Sequence, residues 1–183
     1  DKYYPQDNEL KHILNVHSRS VADKALWIAG KHPELNLDTV FLEEAAMLHD
    51  IGKLILNPEI LNKPGPLTES EYEHIRQHPQ IAFDFLRQRM DISSTIRAGI
   101  LSHHENEDGA GLSLKDIMDQ KLPVPHREML PVSMEEQVIC FADKFFSKTH
   151  LDREKTVEGA RKSIAKYGDE GLQRFNNWCK LFL

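Results

Sequence analysis

The sequence is poor in cysteine. Cys140 and Cys179 are its two thiols, each inside an apolar-periodic stretch, and no CxxC pair occurs. Two lone cysteines cannot build the disulfide framework of a small secreted domain, and without CxxC the zinc-ribbon and thioredoxin readings fail. Long apolar runs are missing as well. They end after a few residues, far short of the ~20 that a membrane-spanning helix needs. The opening DKYYPQDNEL is polar and has no signal-peptide core. It begins at Asp1 rather than at a methionine, which suggests trimming. A basic surplus is also absent. Lys+Arg 23 against Asp+Glu 29 leaves a net charge of −6 and a pI near 5.9, which argues against a broad basic face for extended nucleic acid. There is no internal repeat, low-complexity stretch or long linker. What remains is a cytoplasmic chain of 183 residues, 40% hydrophobic and 28% charged, expected to form one domain over 1–183 without membrane attachment. A chain of this length buries roughly two-thirds of its unfolded surface and needs no disulfides.

Helical periodicity dominates, and no segment sustains period-two alternation, so the expectation is an all-α domain, a bundle with its site between core helices. A first helix is expected from about Glu9 to Gly30, with Leu14, His17, Val21 and Ile28 on one stripe. A second follows Asp38 as N-cap, carries Leu42, Ala45, Ala46 and His49 on one face, and is expected to stop at Gly52 within HDIGK. NPEILNKPGPLT reads as an ordered excursion. Thr68 with Glu71, and Ser133 with Glu136, spell capping boxes. His78-Pro79 opens a helix with Ala82, Phe85 and Leu86 inward. Ile96, Ile100 and His103 line another, and 105–132 reads as mostly irregular. Ile139, Asp143 and Phe146 share a face after Ser133. Two last helices are expected near 153–167 and 169–181, divided by Gly168. Phe175, Trp178 and Phe182 either close the core, the preferred reading, or form a homodimer surface.

The ten histidines matter through their positions. His17 alone reads as well as a core histidine bonded to a carbonyl. His78 reads as a helix cap, and His103-His104 as a solvated helix end. His49-Asp50 is harder to set aside, because a carboxylate ending a buried helix must be paired or bound to metal. So is Asp143 within ICFADKFF, where an unpaired aspartate costs several kcal/mol. Together the separate readings fail. Five helices or helix ends each turn a His or Asp inward. Imidazole and carboxylate suit zinc, iron or manganese, and no thiolate is offered. His17, His49, Asp50, His78, His103, His104 and Asp143 are more groups than one ion usually takes. Two divalent ions sharing a carboxylate would use them, with iron or manganese favoured and other divalent ions compatible.

The order H…HD…D resembles the HD superfamily of metal-dependent phosphohydrolases over nearly the whole chain. The stretch HDIGKLILNPEILNKPGPLTESEYEHIRQHPQIAFDFL, with HHENEDGAG after it, is similar to the HD-GYP cyclic-di-GMP phosphodiesterases. The flank PHREMLPVSMEEQVICFADKFFSKTHLDREKT looks more like short stand-alone bacterial HDIG phosphohydrolases. The resemblance implies His17, His49, Asp50 and Asp143 as core ligands, Asp50 as the bridge, and His78, His103 and His104 completing a second site. Lys53 matches a lysine near the substrate phosphate. A glutamate that serves a third ion in some HD-GYP proteins is here Ile13, which speaks against a third ion. The signature DGxGYP is here DGAGLS: Gly109 and Gly111 remain, while Leu112 and Ser113 replace Tyr and Pro, which weakens the case for cyclic-di-GMP.

The resemblance implies hydrolysis of a nucleotide-type phosphate ester, with a hydroxide held between two ions attacking phosphorus in line. Asp50 fixes the ion pair and Lys53 stabilises phosphate charge or assists the leaving oxygen. His126 in LPVPHRE reads first as a surface loop residue. Lys144, Lys148 and Arg153 are candidate phosphate contacts, for which a solvated face is an equal reading. The rivals are a mononuclear nucleotidase using only His17, His49, Asp50 and Asp143, and a non-catalytic metal-bearing module that senses a nucleotide or a partner. Metal per chain separates the first two.

Overall fold

The computed structural model describes residues 9–61, 63–88, 130–147, 153–167 and 169–183, with the isolated residues 114, 118 and 151. Every regular element among them is a helix, as the all-α expectation required. α1 (Glu9–Lys31) buries Leu14, His17, Val21 and Ile28 on the expected stripe. α2 (Thr39–Leu48) starts where Asp38 accepts from the amides of Val40 and Phe41, both at 3.0 Å. A short α3 (Pro58–Leu61) punctuates the Pro/Gly excursion. α4 (Glu69–Arg76) and α5 (His78–Leu86) follow almost without a break. α6 (Met134–Asp143), α7 (Val157–Ile164) and α8 (Asp169–Phe182) complete the described part. No described helix is long and apolar enough to cross a membrane.

The core forms where α1 lies against α2 and α6. Ala22 and Ala25 of α1, Ala45 and Ala46 of α2, and Ala142 of α6 are all buried. Small residues on facing helices let backbones approach closely, and such closeness brings side chains from three helices to one point. Behind α6 an aromatic cluster fills the space. Phe141 has its ring centroid 5.0 Å from Phe145, 5.3 Å from Phe175 and 5.4 Å from Phe182. Trp178 is buried too, and its indole N–H donates to the Gln137 side chain at 2.9 Å. Phe175, Trp178 and Phe182 therefore close the core, and the homodimer-surface reading of these three side chains does not hold.

Both capping boxes form. The Glu71 amide donates to Thr68 Oγ1 at 3.3 Å and Glu71 Oε2 accepts from the Thr68 amide at 2.6 Å. Ser133 and Glu136 repeat the pattern at 3.1 and 3.3 Å. Boundaries differ from the sequence reading at three places, one of them α6, which ends at Asp143 so that Phe146, expected on its face, lies beyond it. α2 ends at Leu48, not Gly52, and a 3-10 turn over Ile51–Leu54 follows. The helix expected from about 153 begins at 157, because Thr156 caps it through the Gly159 amide. The residues before it are held elsewhere: the Lys155 amide donates to the Phe145 carbonyl at 2.7 Å, and Glu154 pairs with Lys24 at 2.6 Å. The expected helix of Ile96, Ile100 and His103 lies outside the described residues, as do nearly all of 105–132.

Glu71 has a second duty. Both of its oxygens accept from Lys63, at 2.9 and 2.7 Å, which fastens the Pro/Gly excursion to α4. The Lys63 ammonium and then the Thr68 amide draw its carboxyl down to about 2 from an ordinary 4.5. A depressed carboxyl stabilises the fold above its unfolded pKa, and that contribution fades as pH falls through 4.5 toward 2. Glu71→Gln is therefore expected to be less stable than wild type at pH 7. In urea unfolding the gap should close progressively between about pH 5 and pH 2.

Candidate metal centre

Different stretches of backbone deliver the site residues. His17 comes from the buried stripe of α1. His49 is the C-cap just after α2, and Asp50, with φ −95 and ψ 4, leaves helical geometry. The helix thus stops before Gly52, and Asp50 is 1% exposed. Gly52 then lies hard against the first turn of α5. A Cβ placed on it would collide with the His78 carbonyl oxygen and come within 2.8 Å of the His78 carbonyl carbon and 3.0 Å of the Ala82 amide nitrogen. The close approach seats His78, the first residue of α5, beside Asp50. Asp143 arrives as the last residue of α6.

The ligand-type atoms of His17, His49 and Asp50 all lie within 4.8 Å of one another. His17 Nε2 is 3.0 Å from Asp143 Oδ1 and 3.6 Å from Asp50 Oδ2. His49 Nε2 is 3.5 Å from Asp50 Oδ2 and 3.7 Å from Asp143 Oδ1. On the other side of the same carboxylate, His78 Nε2 is 3.2 Å from Asp50 Oδ1. An ion bonded at about 2.0–2.2 Å to nitrogen and oxygen sets neighbouring ligand atoms roughly 3–3.6 Å apart. The His17–Asp143, His17–Asp50 and His49–Asp50 spacings are of that size.

Protonation points the same way. His49 Nδ1 lies 2.6 Å from the Ala46 carbonyl and His78 Nδ1 lies 2.8 Å from the Ile75 carbonyl. A carbonyl has no hydrogen to give, so each Nδ1 carries the proton, and in a neutral ring Nε2 presents its lone pair. Burial, and next the Lys53 ammonium, push His78 down to about 4, partly opposed by Asp50. His78 is thus neutral at pH 7, and its lone pair faces a carboxylate oxygen. A cation between such groups turns repulsion into coordination, and the carbonyl bonds orient the rings for it. Burial tends to raise the Asp143 carboxyl. The Lys144 ammonium first, and then the neighbouring His17 and His49 rings, outweigh it and hold the group well below the usual carboxylate range. The donor set fits a divalent metal ion.

Lys53 is also buried, with Nζ 2.6 Å from Asp50 Oδ1. Lys144 Nζ is 3.1 Å from Asp143 Oδ2, a pairing that corrects its reading as a plain solvated side chain. Arg153 is exposed. The structure thus gathers His17, His49, Asp50, Lys53, His78 and Asp143. His103, His104, His126, Lys148 and the DGAGLS segment with Leu112 and Ser113 lie outside the described residues. Sequence reasoning missed the steric role of Gly52 and the Lys144–Asp143 pair. The first had a signal, a glycine set among ionisable residues just after a helix end. The second had only adjacency, which says nothing about which way two side chains turn.

The HD-domain family model matches residues 16–147, well over half of the chain. The chain belongs to the HD-domain family. It is 33% identical over 122 residues to a cyclic di-GMP phosphodiesterase of Thermotoga maritima, covering 64% of this chain and 33% of that protein. It is 40% identical over 99 residues to the cyclic di-GMP phosphodiesterase PA4108 of Pseudomonas aeruginosa, covering 52% and 24%. It is 38% identical over 134 residues to 3′3′-cGAMP-specific phosphodiesterase 1 of Vibrio cholerae, covering 73% and 28%. The chain therefore spans about a quarter to a third of the length of these relatives. No solved structure matches it.

Gly52→Ala tests how the second side of the Asp50 carboxylate is assembled. Backbone, not a flexible side chain, stands in the way of the new methyl group. The substitution is expected to cost about 1–3 kcal/mol in denaturant unfolding, and to lower the metal retained per chain as α5 is pushed off. Wild-type stability would mean that turn and helix separate freely.

Proposed function

We propose that this chain is a metal-dependent phosphohydrolase of the HD superfamily, forming one domain over 1–183. Its substrate would be a nucleotide-type phosphodiester, with cyclic dinucleotides the leading class. The observation that carries the reading is the buried Asp50 carboxylate, with Oδ2 toward His17 and His49 and Oδ1 toward His78. A carboxylate flanked by imidazoles on both oxygens suits the bridge between two ions. His17, His49, Asp50 and Asp143 would hold one ion. Asp50 and His78, with His103 and His104, would hold the other, and iron or manganese suits these donors. When bound, such ions supply Lewis acidity toward phosphoryl oxygens and a water of lowered pKa. Lys53, 2.6 Å from Asp50 Oδ1, would supply an ammonium to the phosphate or a proton to the leaving oxygen. The names of the relatives, phosphodiesterases of cyclic di-GMP and of 3′3′-cGAMP, support a cyclic dinucleotide, and the absence of a spanning helix among the described residues supports a cytoplasmic setting.

One contact favours a second reading. The Lys53 ammonium already compensates Asp50 Oδ1 at 2.6 Å, as it would in a mononuclear nucleotidase whose one ion sits on the Oδ2 side. Elemental analysis decides between the two. About two equivalents of iron or manganese per chain are expected of the dinuclear enzyme, with hydrolysis of cyclic di-GMP or 3′3′-cGAMP. One equivalent, with turnover confined to mononucleotides, would replace it by the mononuclear enzyme. Asp50→Ala should reduce both metal retention and turnover to background, and surviving hydrolysis would sink the shared-carboxylate model. Restoring the signature by Leu112→Tyr with Ser113→Pro is expected to raise cyclic di-GMP turnover relative to 3′3′-cGAMP. An unchanged ratio would remove that segment from substrate choice.

A further inference from the structure

Asp50 and Asp143 each meet His17 and His49 on one oxygen and a lysine on the other, with His78 a further neighbour of Asp50 Oδ1. Asp50 gives Oδ2 to His17 and His49 and takes Lys53 on Oδ1. Asp143 gives Oδ1 to the same two histidines and takes Lys144 on Oδ2 at 3.1 Å. The proposed reaction uses Lys53 but leaves Lys144 without a part. Lys144 is the C-cap of α6, its side chain is 14% exposed, and it directly follows a proposed ligand in sequence. It therefore sits at the rim of the centre, with its charge directed onto a ligand.

A cation there has two opposing effects. It compensates the Asp143 carboxylate, 11% exposed, before any ion arrives. It then competes with the ion for that carboxylate's charge and repels the ion directly. With neutral imidazoles, the two lysines balance the two carboxylates, so a bound divalent ion leaves its full charge to face an anionic substrate. We infer that Lys144 is a positioning residue that acts through Asp143: it holds Oδ2, leaves Oδ1 to the ion, and sets the site's grip on metal below what the ligands alone would give. The inference rests on the metal reading above and concerns how tightly the ion is held, not which reaction follows.

The sign of the effect tests it, because a merely structural lysine predicts the reverse. The full chain is stripped of metal and titrated with Mn²⁺ against a fluorescent chelator, as wild type, Lys144→Gln, Lys144→Met and Lys144→Arg. The two neutral variants are expected to bind Mn²⁺ more tightly, on the order of tenfold. They should also show a larger Mn²⁺-induced rise in Tm, because their metal-free forms lose the compensation of Asp143. Lys144→Arg keeps the charge and should stay near wild type. Equal or weaker Mn²⁺ binding by both neutral variants overturns the inference, as does an arginine variant that binds as tightly as they do. If wild type itself takes up no Mn²⁺, the metal reading fails and this inference falls with it. Uptake by wild type without tightening in the variants defeats this inference alone.

Discussion

A carboxylate 1% exposed to solvent cannot stay ionised by itself, because taking the charge out of water costs several kcal/mol. Asp50 is that carboxylate, and much of the fold can be understood as supplying what it needs. α2 stops early so that the backbone can turn it inward. The 3-10 turn after it brings Lys53 round to Oδ1, three residues on. Gly52, between them, has no Cβ and so lets α5 come close enough for His78 to reach the same oxygen. α1 supplies His17 to the opposite oxygen. Lys53 compensates the charge from the Oδ1 side, while Oδ2 lies beside the His17 and His49 rings. That imidazole-flanked oxygen is why the donor set reads as a cation site rather than as a closed hydrogen-bond network.

Holding imidazoles and carboxylates from three helices within 3–4 Å of one another requires a rigid frame. The buried alanines of α1, α2 and α6 permit the approach but supply little cohesion by themselves, since a methyl group buries little apolar area. The cohesion comes from larger groups further back. Phe141, two residues before Asp143 and so on roughly the opposite side of α6, packs among Phe145, Phe175 and Phe182, and Trp178 tethers α8 to α6 through Gln137. The polar face of α6 is thus positioned by the aromatic face behind it. The end of the helix that carries Asp143 and its core-forming side belong to one mechanical unit.

Features decided within a few residues were legible in the sequence. The boxes Thr68/Glu71 and Ser133/Glu136, the Asp38 cap and the stripe Leu14–His17–Val21–Ile28 all formed as read, because each depends only on local spacing. The candidate ligands were legible for a different reason: His17, His49 and Asp143 are polar residues at positions whose neighbours are apolar, which is costly without a purpose. What stayed hidden depends on contacts between distant segments. The end of α2 depends on α5, the start of α7 on Phe145 and Lys24, and the grip of Lys63 on Glu71 on how the excursion folds back. Periodicity carries no information about any of these.

The centre's charge balance bears on what it can accept. Asp50 and Asp143 carry one lysine each, so the histidines and carboxylates form a nearly neutral cage, not an acidic one. An acidic cage would hold a cation tightly and repel a phosphate. A neutral one holds it less tightly and leaves positive charge facing outward, which a phosphodiester anion can meet without first displacing a counter-ion. Lys53 and Lys144 are therefore better understood together than as one catalytic residue and one surface residue. Both sit on the carboxylate oxygen that His17 and His49 do not face. A phosphate approaching the rim meets charge that was withheld from the ligands, which is the electrostatic requirement for binding an anion beside two carboxylates.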